Sequence, residues 1–301
     1  MDVLSDEQES IRVSHDQLFK ELLSMFFFEF VDLFLPQMGE YLDRGEITFL
    51  PQEYFTDNKT GSRRAVDVLV QVKFRGQDTC FLVHVENQSY DQDEFDRRLF
   101  FYFAMLYKEY QLPVYPIAIF SFDYPLRVQS QQHQVNFPDL KVLEFNFASI
   151  QLNQLNWRDF LQHENPVAAA LMSKMRIKKK DRPKVKAECL RLLVTLKLDP
   201  AKAQLISKFV DTYLNFEGVE EEQFQAEIAK LEVGQKEEIM EVMTSWEKKG
   251  MEKGIEKGVE REKQAIALNM LRKSFSLEEV SELTGLTIAQ LQDLQVQSAA
   301  T

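Results

Sequence analysis

Cysteine is scarce in this sequence. The 301 residues include two, Cys80 and Cys189, and their separation matches no metal-ligand spacing. This excludes a cysteine-based zinc site, and so low a cysteine content favours reduced thiols and a cytoplasmic location. The opening residues, MDVLSDEQES, are acidic and polar, so they do not predict a signal peptide.

Long uncharged apolar runs are also lacking. The Phe-rich run at residues 25–35, MFFFEFVDLFL, contains Glu29 and Asp32 and is too short to span a bilayer. No membrane partner is therefore predicted. The sequence also lacks a phosphate-binding loop and any Ser/His or Cys/His signature of a covalent catalyst.

Basic residues are outnumbered by acidic ones. Lys and Arg total 36 against 48 Asp and Glu, which gives a net charge of −12. This weighs against a general nucleic-acid binder, because such proteins neutralise phosphates with Lys and Arg. It does not exclude a nuclease in which metal ions and a local basic patch supply the attraction. The one basic concentration, SKMRIKKKDRPKVK at residues 173–186, is interpreted either as such a patch or as a solvated linker.

The apolar content predicts a folded chain, with 45% hydrophobic residues that include 24 Phe. Residues 10–165 predict an α/β domain. Its first helix is expected over residues 15–35, with Ser14 as N-cap and Pro36 at its end, because apolar residues recur at helical spacing. The other predicted elements are strands at residues 46–55, 65–74, 79–88, from 113 onward and 141–147, and a helix that starts near residues 91–93.

The rest of the chain predicts helices. Residues 166–245 form a helical region in which Pro166, Pro183 and Pro200 each suit a helix start. Residues 246–301 predict a helix with a Glu/Lys/Gly repeat, followed by a helical hairpin with two capping boxes. The hairpin resembles a helix-turn-helix, but its second helix, IAQLQDLQ, has no Lys or Arg to approach DNA, so a plain hairpin is preferred.

A β-hairpin is expected between the strands at 65–74 and 79–88. With Gly76 and Gln77 at the tip of a type II′ turn, facing residues have numbers that sum to 153. This register pairs valines on one face. On the other face it sets Asp67 directly opposite Glu86, with β-carbons roughly 4.5–5.5 Å apart.

Two carboxylates that face each other on a sheet repel, so stability alone does not explain this pair. A divalent cation between Asp67 and Glu86 removes the repulsion, and carboxylate oxygens with retained waters suit Mg²⁺. Gln88 projects from the same face as Glu86. Two alternatives remain open: acids that stand in solvent at strand ends, or one protonated carboxyl that is hydrogen-bonded to the other.

The residues around this pair resemble a known family. Asp67, a hairpin and then Glu86-Asn87-Gln88 resemble the PD-(D/E)XK nuclease core, with Gln in place of the usual Lys. The stretches HDQLFKELL (15–23), AVDVLVQV (65–72) and HVENQSYDQDEFDRRLFFY (84–102) resemble the Rpn family of recombination-promoting nucleases, also labelled as transposases. The C-terminal half resembles that family only in the general character of its sequence.

The resemblance implies a restriction-endonuclease-like core, with a central mixed sheet flanked by helices, and a Mg²⁺-dependent DNA endonuclease. Asp67 and Glu86 would bind the metal with the carbonyl of Asn87, and Mn²⁺ would substitute for Mg²⁺. Gln88 would orient a water or a phosphate oxygen, since an amide is neither a general base nor a cation. Such an activity would serve recombination, mobile elements or defence.

Four further residues are candidates for DNA contacts or for support of the site. Asp16 and Lys20 lie one helical turn apart, where they either reach a second metal and a phosphate or form a surface ion pair. Arg97 and Arg98 either contact DNA phosphate or pair with neighbouring acids. His84 faces a leucine and is interpreted as a packed histidine rather than a ligand.

A non-cleaving protein is the second hypothesis. The nuclease fold would then be a scaffold, with the helical tail binding a partner or a second copy of the chain. The acidic net charge and Gln88 favour the scaffold. The paired acids favour the enzyme, because a scaffold gains nothing from them.

Residues 235–301 are predicted to promote homo-oligomerisation, because Met251, Ile255 and Val259 recur every four residues and form an apolar stripe on a helix. The alternative is a solvated helix. Light scattering should show fewer copies of the chain per particle for residues 1–234 than for the full chain. The same number of copies in both particles contradicts the prediction.

Overall fold

A computed structural model describes residues 6–51, 54–56, 63–272 and 275–299 of the chain. The chain forms two compact units, residues 1–236 and 237–301. The first unit is α/β, with a mixed central sheet and flanking helices, and the second is helical. The expected class of fold is therefore confirmed at this level, while the finer boundaries near residues 165 and 245 stay predictions.

The elements follow one another along the chain with short connections. The strands are β1 (Leu42–Phe49), β2 (Tyr54–Thr56), β3 (Arg63–Ala65), β4 (Val68–Phe74), β5 (Cys80–Gln88), β6 (Val114–Phe120), β7 (Gln132–Asn136), β8 (Lys141–Asn146) and β9 (Ala148–Gln151). The helices of the first unit are α1 (Asp6–Met25), α2 (Phe27–Phe34), α3 (Pro36–Tyr41), α4 (Phe95–Tyr110), α5 (Pro166–Leu171), α6 (Arg182–Thr195), α7 (Pro200–Tyr213) and α8 (Val219–Ile228).

The central sheet has the strand order β1-β4-β5-β6-β9. β1, β4 and β5 run antiparallel, whereas β5, β6 and β9 run parallel. Val68 pairs with Val85 and Gln88 pairs with Phe120. β4 therefore begins at the same end of the sheet at which β5 and β6 end. We call this line of strand ends the site edge.

The β4–β5 hairpin has the predicted register but a different turn. Val70 pairs with Val83 and Val72 with Phe81, so facing numbers sum to 153 as expected. The Gln77 N–H donates to the Phe74 carbonyl at 3.1 Å, which makes Gly76, with φ of 71°, the third residue of the turn. The predicted type II′ turn is therefore wrong, because the connection is wider than two residues and still preserves the register.

The N-terminal helix differs from its prediction. α1 begins at Asp6, so Ser14 lies inside the helix and is not its N-cap. The chain leaves helical geometry at Phe26, with φ −129° and ψ 40°, and α2 then ends at Phe34, just before Pro36 as predicted, where α3 starts. Phe26, Phe27 and Phe30 are all buried around this break, so the apolar spacing that predicted one continuous helix is satisfied by two.

Helix α4 crosses from β5 to the parallel strand β6 and covers one face of the sheet. Leu106 packs with Leu69 and Leu82, and Phe95 packs with Phe120. The other face carries the valines of β4 and β5, which are also buried. A sheet with both faces buried positions its strand ends rigidly, so polar groups at the site edge are held in place.

The basic segment at residues 173–186 is not a linker. It runs through short 3-10 turns into α6, and Lys186, only 7% exposed, pairs with Asp211 at 2.9 Å. The solvated-linker interpretation is therefore wrong, because part of this charge is used inside the helical packing.

The second unit contains the end of α9 (Val233–Arg272), α10 (Leu277–Thr284) and α11 (Ile288–Ala299). Both predicted capping boxes are present, at Ser276 with Glu279 and at Thr287 with Gln290. Gly285 between them has φ of 73°, as the predicted turn requires. Residues 244–262 are helical, but their side chains, including the predicted self-association stripe, lie outside the described part of the structure. Among the helices described, none combines the length and apolar character that a membrane span needs.

Asn165 ties α5 to α2, and its loss should destabilise the first unit. Its side-chain oxygen accepts from Val167 N–H at 2.8 Å, and its amide nitrogen donates to the Glu29 carbonyl at 2.8 Å. Asn165→Ala should lower the free energy of unfolding by about 1–3 kcal/mol, since both a cap and a buried bond are lost. Asn165→Asp keeps the cap acceptor, so its free energy of unfolding in chemical denaturation should lie between those of Asn165→Ala and the wild type. Equal stability of the alanine variant and the wild type contradicts this assignment.

Candidate metal centre

Four polar residues near the end of β5 are buried. His84, Glu86, Asn87 and Gln88 have exposures of 9% or less, although strand interiors are normally apolar. Buried polar groups cost free energy unless they are paired. Their partners therefore show what this edge of the sheet is built to hold.

Asp67 reaches Glu86 by hydrogen bonds rather than by strand pairing. The β4–β5 ladder ends at Val68 with Val85, so Asp67 lies just outside it. Its N–H donates to Glu86 Oε1 at 3.2 Å, and its Oδ2 accepts from the Asn87 N–H at 2.9 Å. The predicted direct cross-strand pair is thus corrected. The two acids are neighbours, but the hydrogen bond from the Asn87 N–H to the Asp67 side chain takes the place of the next main-chain pairing.

The neighbourhood of Asp67 disfavours its charged form. Burial first, and then the nearby Glu86 carboxylate, raise the pKa of Asp67 from 3.8 to about 7. Lys20 Nζ, 3.2 Å from Oδ1, and the Asn87 N–H act in the opposite direction. The alternative of solvent-exposed acids is therefore wrong, while near neutrality the Asp67 carboxyl is partly protonated when nothing else neutralises it.

The N-terminal candidates lie at this site. Lys20 pairs with Asp67, so it belongs to the surroundings of the buried acids. Asp16 is close enough for its charge to raise the pKa of Asp67 further. Helix α1 therefore contributes one cation and one anion to the environment of the buried acids.

His84 has a role that the sequence interpretation missed. It is fully buried, as expected for a packed histidine, and its Nε2 lies 2.8 Å from Glu86 Oε1. Its Nδ1 has no hydrogen-bond partner in the described structure. The ring therefore donates through Nε2 and orients the Glu86 carboxylate. The signal was available, because residues two apart on a strand share a face.

Gln88 is locked by its surroundings. Its Oε1 accepts from Arg98 Nη2 at 2.5 Å, and its Nε2 donates to the Tyr90 carbonyl at 2.6 Å. Arg98 also donates to Gln92 Oε1. The amide cannot rotate without breaking these bonds, and a guanidinium stands beside it.

Arg97 is not part of this arrangement. It pairs with Glu94 at 3.1 Å, in line with the alternative of pairing with a neighbouring acid, and its side chain is 45% exposed. Adjacent arginines on α4 thus have different surroundings, since successive helical residues point about 100° apart.

A hard cation such as Mg²⁺ needs oxygen ligands. No group of three His, Cys, Asp or Glu side chains is arranged to hold a metal among the described residues. A cation here would depend on two carboxylates, a main-chain carbonyl and water, which is a set that Mg²⁺ accepts. Leu82 and Gln88 bond toward β6, so alternation directs the Asn87 carbonyl toward the Asp67 side. Burial and then the neighbouring Glu86 carboxylate raise the pKa of Asp67, and a divalent cation that offsets both effects fits these residues.

No protein-family model, no curated protein and no solved structure matches this chain. The function is therefore argued from the residues and geometry of the site.

Asp67→Asn should stabilise the metal-free protein at alkaline pH. An acid whose pKa is raised by folding favours the folded state at low pH, and this contribution is lost as the pH rises through about 7. In EDTA, the Tm of Asp67→Asn relative to wild type should therefore increase from pH 5 to pH 8. Asp139→Asn, which removes the same charge at an exposed turn, should show no such trend. A lower Tm for Asp67→Asn at pH 8 contradicts the prediction.

Proposed function

We propose that this chain is a Mg²⁺-dependent DNA endonuclease of the PD-(D/E)XK type, as its resemblance to the Rpn family implies. The observation that carries the proposal is the buried pair Asp67 and Glu86, joined at the site edge by two hydrogen bonds and only partly neutralised by Lys20. Burying two neighbouring carboxylates costs stability, and this cost is explained if they bind a cation. The mixed sheet flanked by helices also supports this class of fold.

The proposed metal ligands are the carboxylates of Asp67 and Glu86 and the main-chain carbonyl of Asn87. When bound, Mg²⁺ would lower the pKa of a water and polarise the scissile phosphate. His84 and the Asp67 N–H hold Glu86 Oε1, which leaves Oε2 for the ion. Mn²⁺ is expected to substitute, because it accepts the same oxygen ligands.

Arg98 supplies the positive charge that Gln88 lacks. The usual Lys of this class places a cation beside the second acid, and Gln88 cannot do so. The Arg98 guanidinium, 2.5 Å from Gln88 Oε1, brings a cation from α4 to that position. In this proposal Arg98 stabilises charge on the phosphate, and Gln88 positions Arg98. Neither Gln88 nor Arg98 would take a proton from the attacking water, so this proton would pass to bulk water or to a phosphate oxygen of the substrate.

A scaffold without cleavage is the second candidate. The observation that favours it is the Lys20–Asp67 pair, which partly neutralises the site without a metal. In that case DNA would not be a substrate, and the second unit would carry the interaction with a partner or another copy. Nicking of supercoiled plasmid separates the two candidates.

Wild-type protein with Mg²⁺ or Mn²⁺ should nick supercoiled plasmid, and Asp67→Asn and Glu86→Gln should abolish nicking. Arg98→Gln should lower the rate about 10- to 100-fold, the usual cost of losing a residue that supports a metal site. Arg97→Gln is the matched control, since it removes the same charge from the adjacent exposed position, and should retain near wild-type activity.

Three results would count against this proposal. Equal nicking by wild type and Asp67→Asn removes the site. Equal losses in the two arginine variants reduce Arg98 to a general charge effect. No nicking by any folded variant, with Asp67→Asn the more stable protein, favours the scaffold.

A further inference from the structure

A second polar cluster lies at the site edge. It is built partly by residues of the helices that follow the central sheet. Lys174, in the 3-10 turn between α5 and α6, has its Nζ 2.7 Å from Asp123 Oδ1. The same Nζ lies 4.8 Å from the ring centroid of Tyr213, at the end of α7. Asp123 follows β6, so the cluster stands at the site edge. We call Lys174, Asp123 and Tyr213 the outer cluster.

The outer cluster is adjacent to the acid pair. The ring of His15 contacts the Tyr213 ring edge to face, with centroids 5.1 Å apart, and Asp16 follows His15 on α1. The charge of Asp16 raises the pKa of both Asp67 and Tyr213, so it lies within electrostatic reach of both groups. Helix α1 therefore carries residues that interact with both clusters: His15 contacts Tyr213, and Lys20 pairs with Asp67.

Tyr213 presents an unused hydrogen-bond donor. Its hydroxyl oxygen is buried and has no hydrogen-bond partner in the described structure, while its ring packs on Phe209 at 4.9 Å. Burial first, and then Asp16 and Asp123, raise the pKa of the phenol, so it stays protonated. A buried donor without a partner costs stability, which calls for a ligand or another function.

The Lys174–Asp123 ion pair is strongly asymmetric. The Lys174 side chain is 11% exposed and held over the Tyr213 ring, whereas the Asp123 side chain is 73% exposed. A carboxylate so exposed loses little by turning into solvent, because surface pairs contribute little stability. The cation is therefore fixed, and its anionic partner can be replaced.

We propose that Lys174 and the Tyr213 hydroxyl bind a non-scissile phosphate of the DNA strand, and that Asp123 occupies the phosphate's place in the free protein. This inference rests on the proposed function and extends the active site into the helical segment. A phosphodiester accepts an ammonium contact and a phenol hydrogen bond together, which matches the two donors available. The net charge of −12 makes such a local cation necessary, because the surface as a whole repels DNA.

Duplex DNA binding tests the proposal, measured by fluorescence anisotropy with Ca²⁺ in place of Mg²⁺ to prevent cleavage. Lys174→Gln should weaken binding roughly tenfold, as expected for a charged hydrogen bond. It should also reduce the slope of log K against log salt by about 1, the signature of one lost phosphate contact. Tyr213→Phe should weaken binding without lowering Tm, because it removes only an unpaired hydroxyl. Asp123→Asn should tighten binding.

Matched variants that remove the same charge from other positions separate the effect of position from the effect of charge. Lys179→Gln, an exposed lysine of the same basic segment, should change affinity less than Lys174→Gln. Asp139→Asn should tighten binding less than Asp123→Asn. If the ion pair were only structural, Lys174→Gln and Asp123→Asn would both lower Tm, and neither would change the affinity beyond its control. That pattern, or an unchanged salt slope for Lys174→Gln, overturns the proposal.

The outcomes separate this inference from the proposed function. Nicking that depends on Asp67, with wild-type binding by Lys174→Gln and Tyr213→Phe, keeps the nuclease and removes the outer cluster from it. Binding that depends on Lys174 and Tyr213, without nicking, keeps the DNA contact and removes the nuclease. Inorganic phosphate that competes with DNA only in proteins with Lys174 supports a true phosphate subsite.

Discussion

Two reciprocal hydrogen bonds at the end of the β4–β5 ladder govern the chemistry of this protein. The main chain of Asp67 binds the side chain of Glu86, and the side chain of Asp67 binds the main chain of Asn87. These bonds hold two carboxylates together at a buried edge of the sheet, where they would otherwise repel. The cost appears in the raised pKa of Asp67. The cation proposed at this edge would neutralise the pair.

Positive charge reaches the site edge from three separate elements. Lys20 comes from α1, Arg98 from α4 and Lys174 from the turn before α6. Each is held by a specific partner rather than left in solvent. A chain with a net charge of −12 thus brings individual cations to this part of the sheet, where short distances make their local effect larger than that of distant surface charges. The helical segment also belongs to the same compact unit as the sheet, so it can take part in the site.

The register of the hairpin was predictable, and its consequences were only partly so. Alternating valines specify which residues face each other, since a shift by one would expose them all. The turn at Gly76 and the break at Phe26 were not predicted, because several backbone paths satisfy the same apolar pattern. Asp67 was expected within the strand, but one carboxylate that accepts a main-chain N–H was enough to end the ladder one residue earlier.

Local pattern in the sequence determined the α/β order of elements, the capping boxes of the second unit, the partners across β4 and β5, and the proximity of Asp67 to Glu86. These features depend on residues that are near in the chain or repeat with a fixed period. Only the tertiary structure decided that Arg98 holds Gln88, that Arg97 does not, and that Lys174 and Tyr213 join the site edge. Arg98 and Gln88 are 10 residues apart in the chain. Lys174 and Asp123 are 51 residues apart. These contacts depend on how helices pack on the sheet, which no local periodicity encodes.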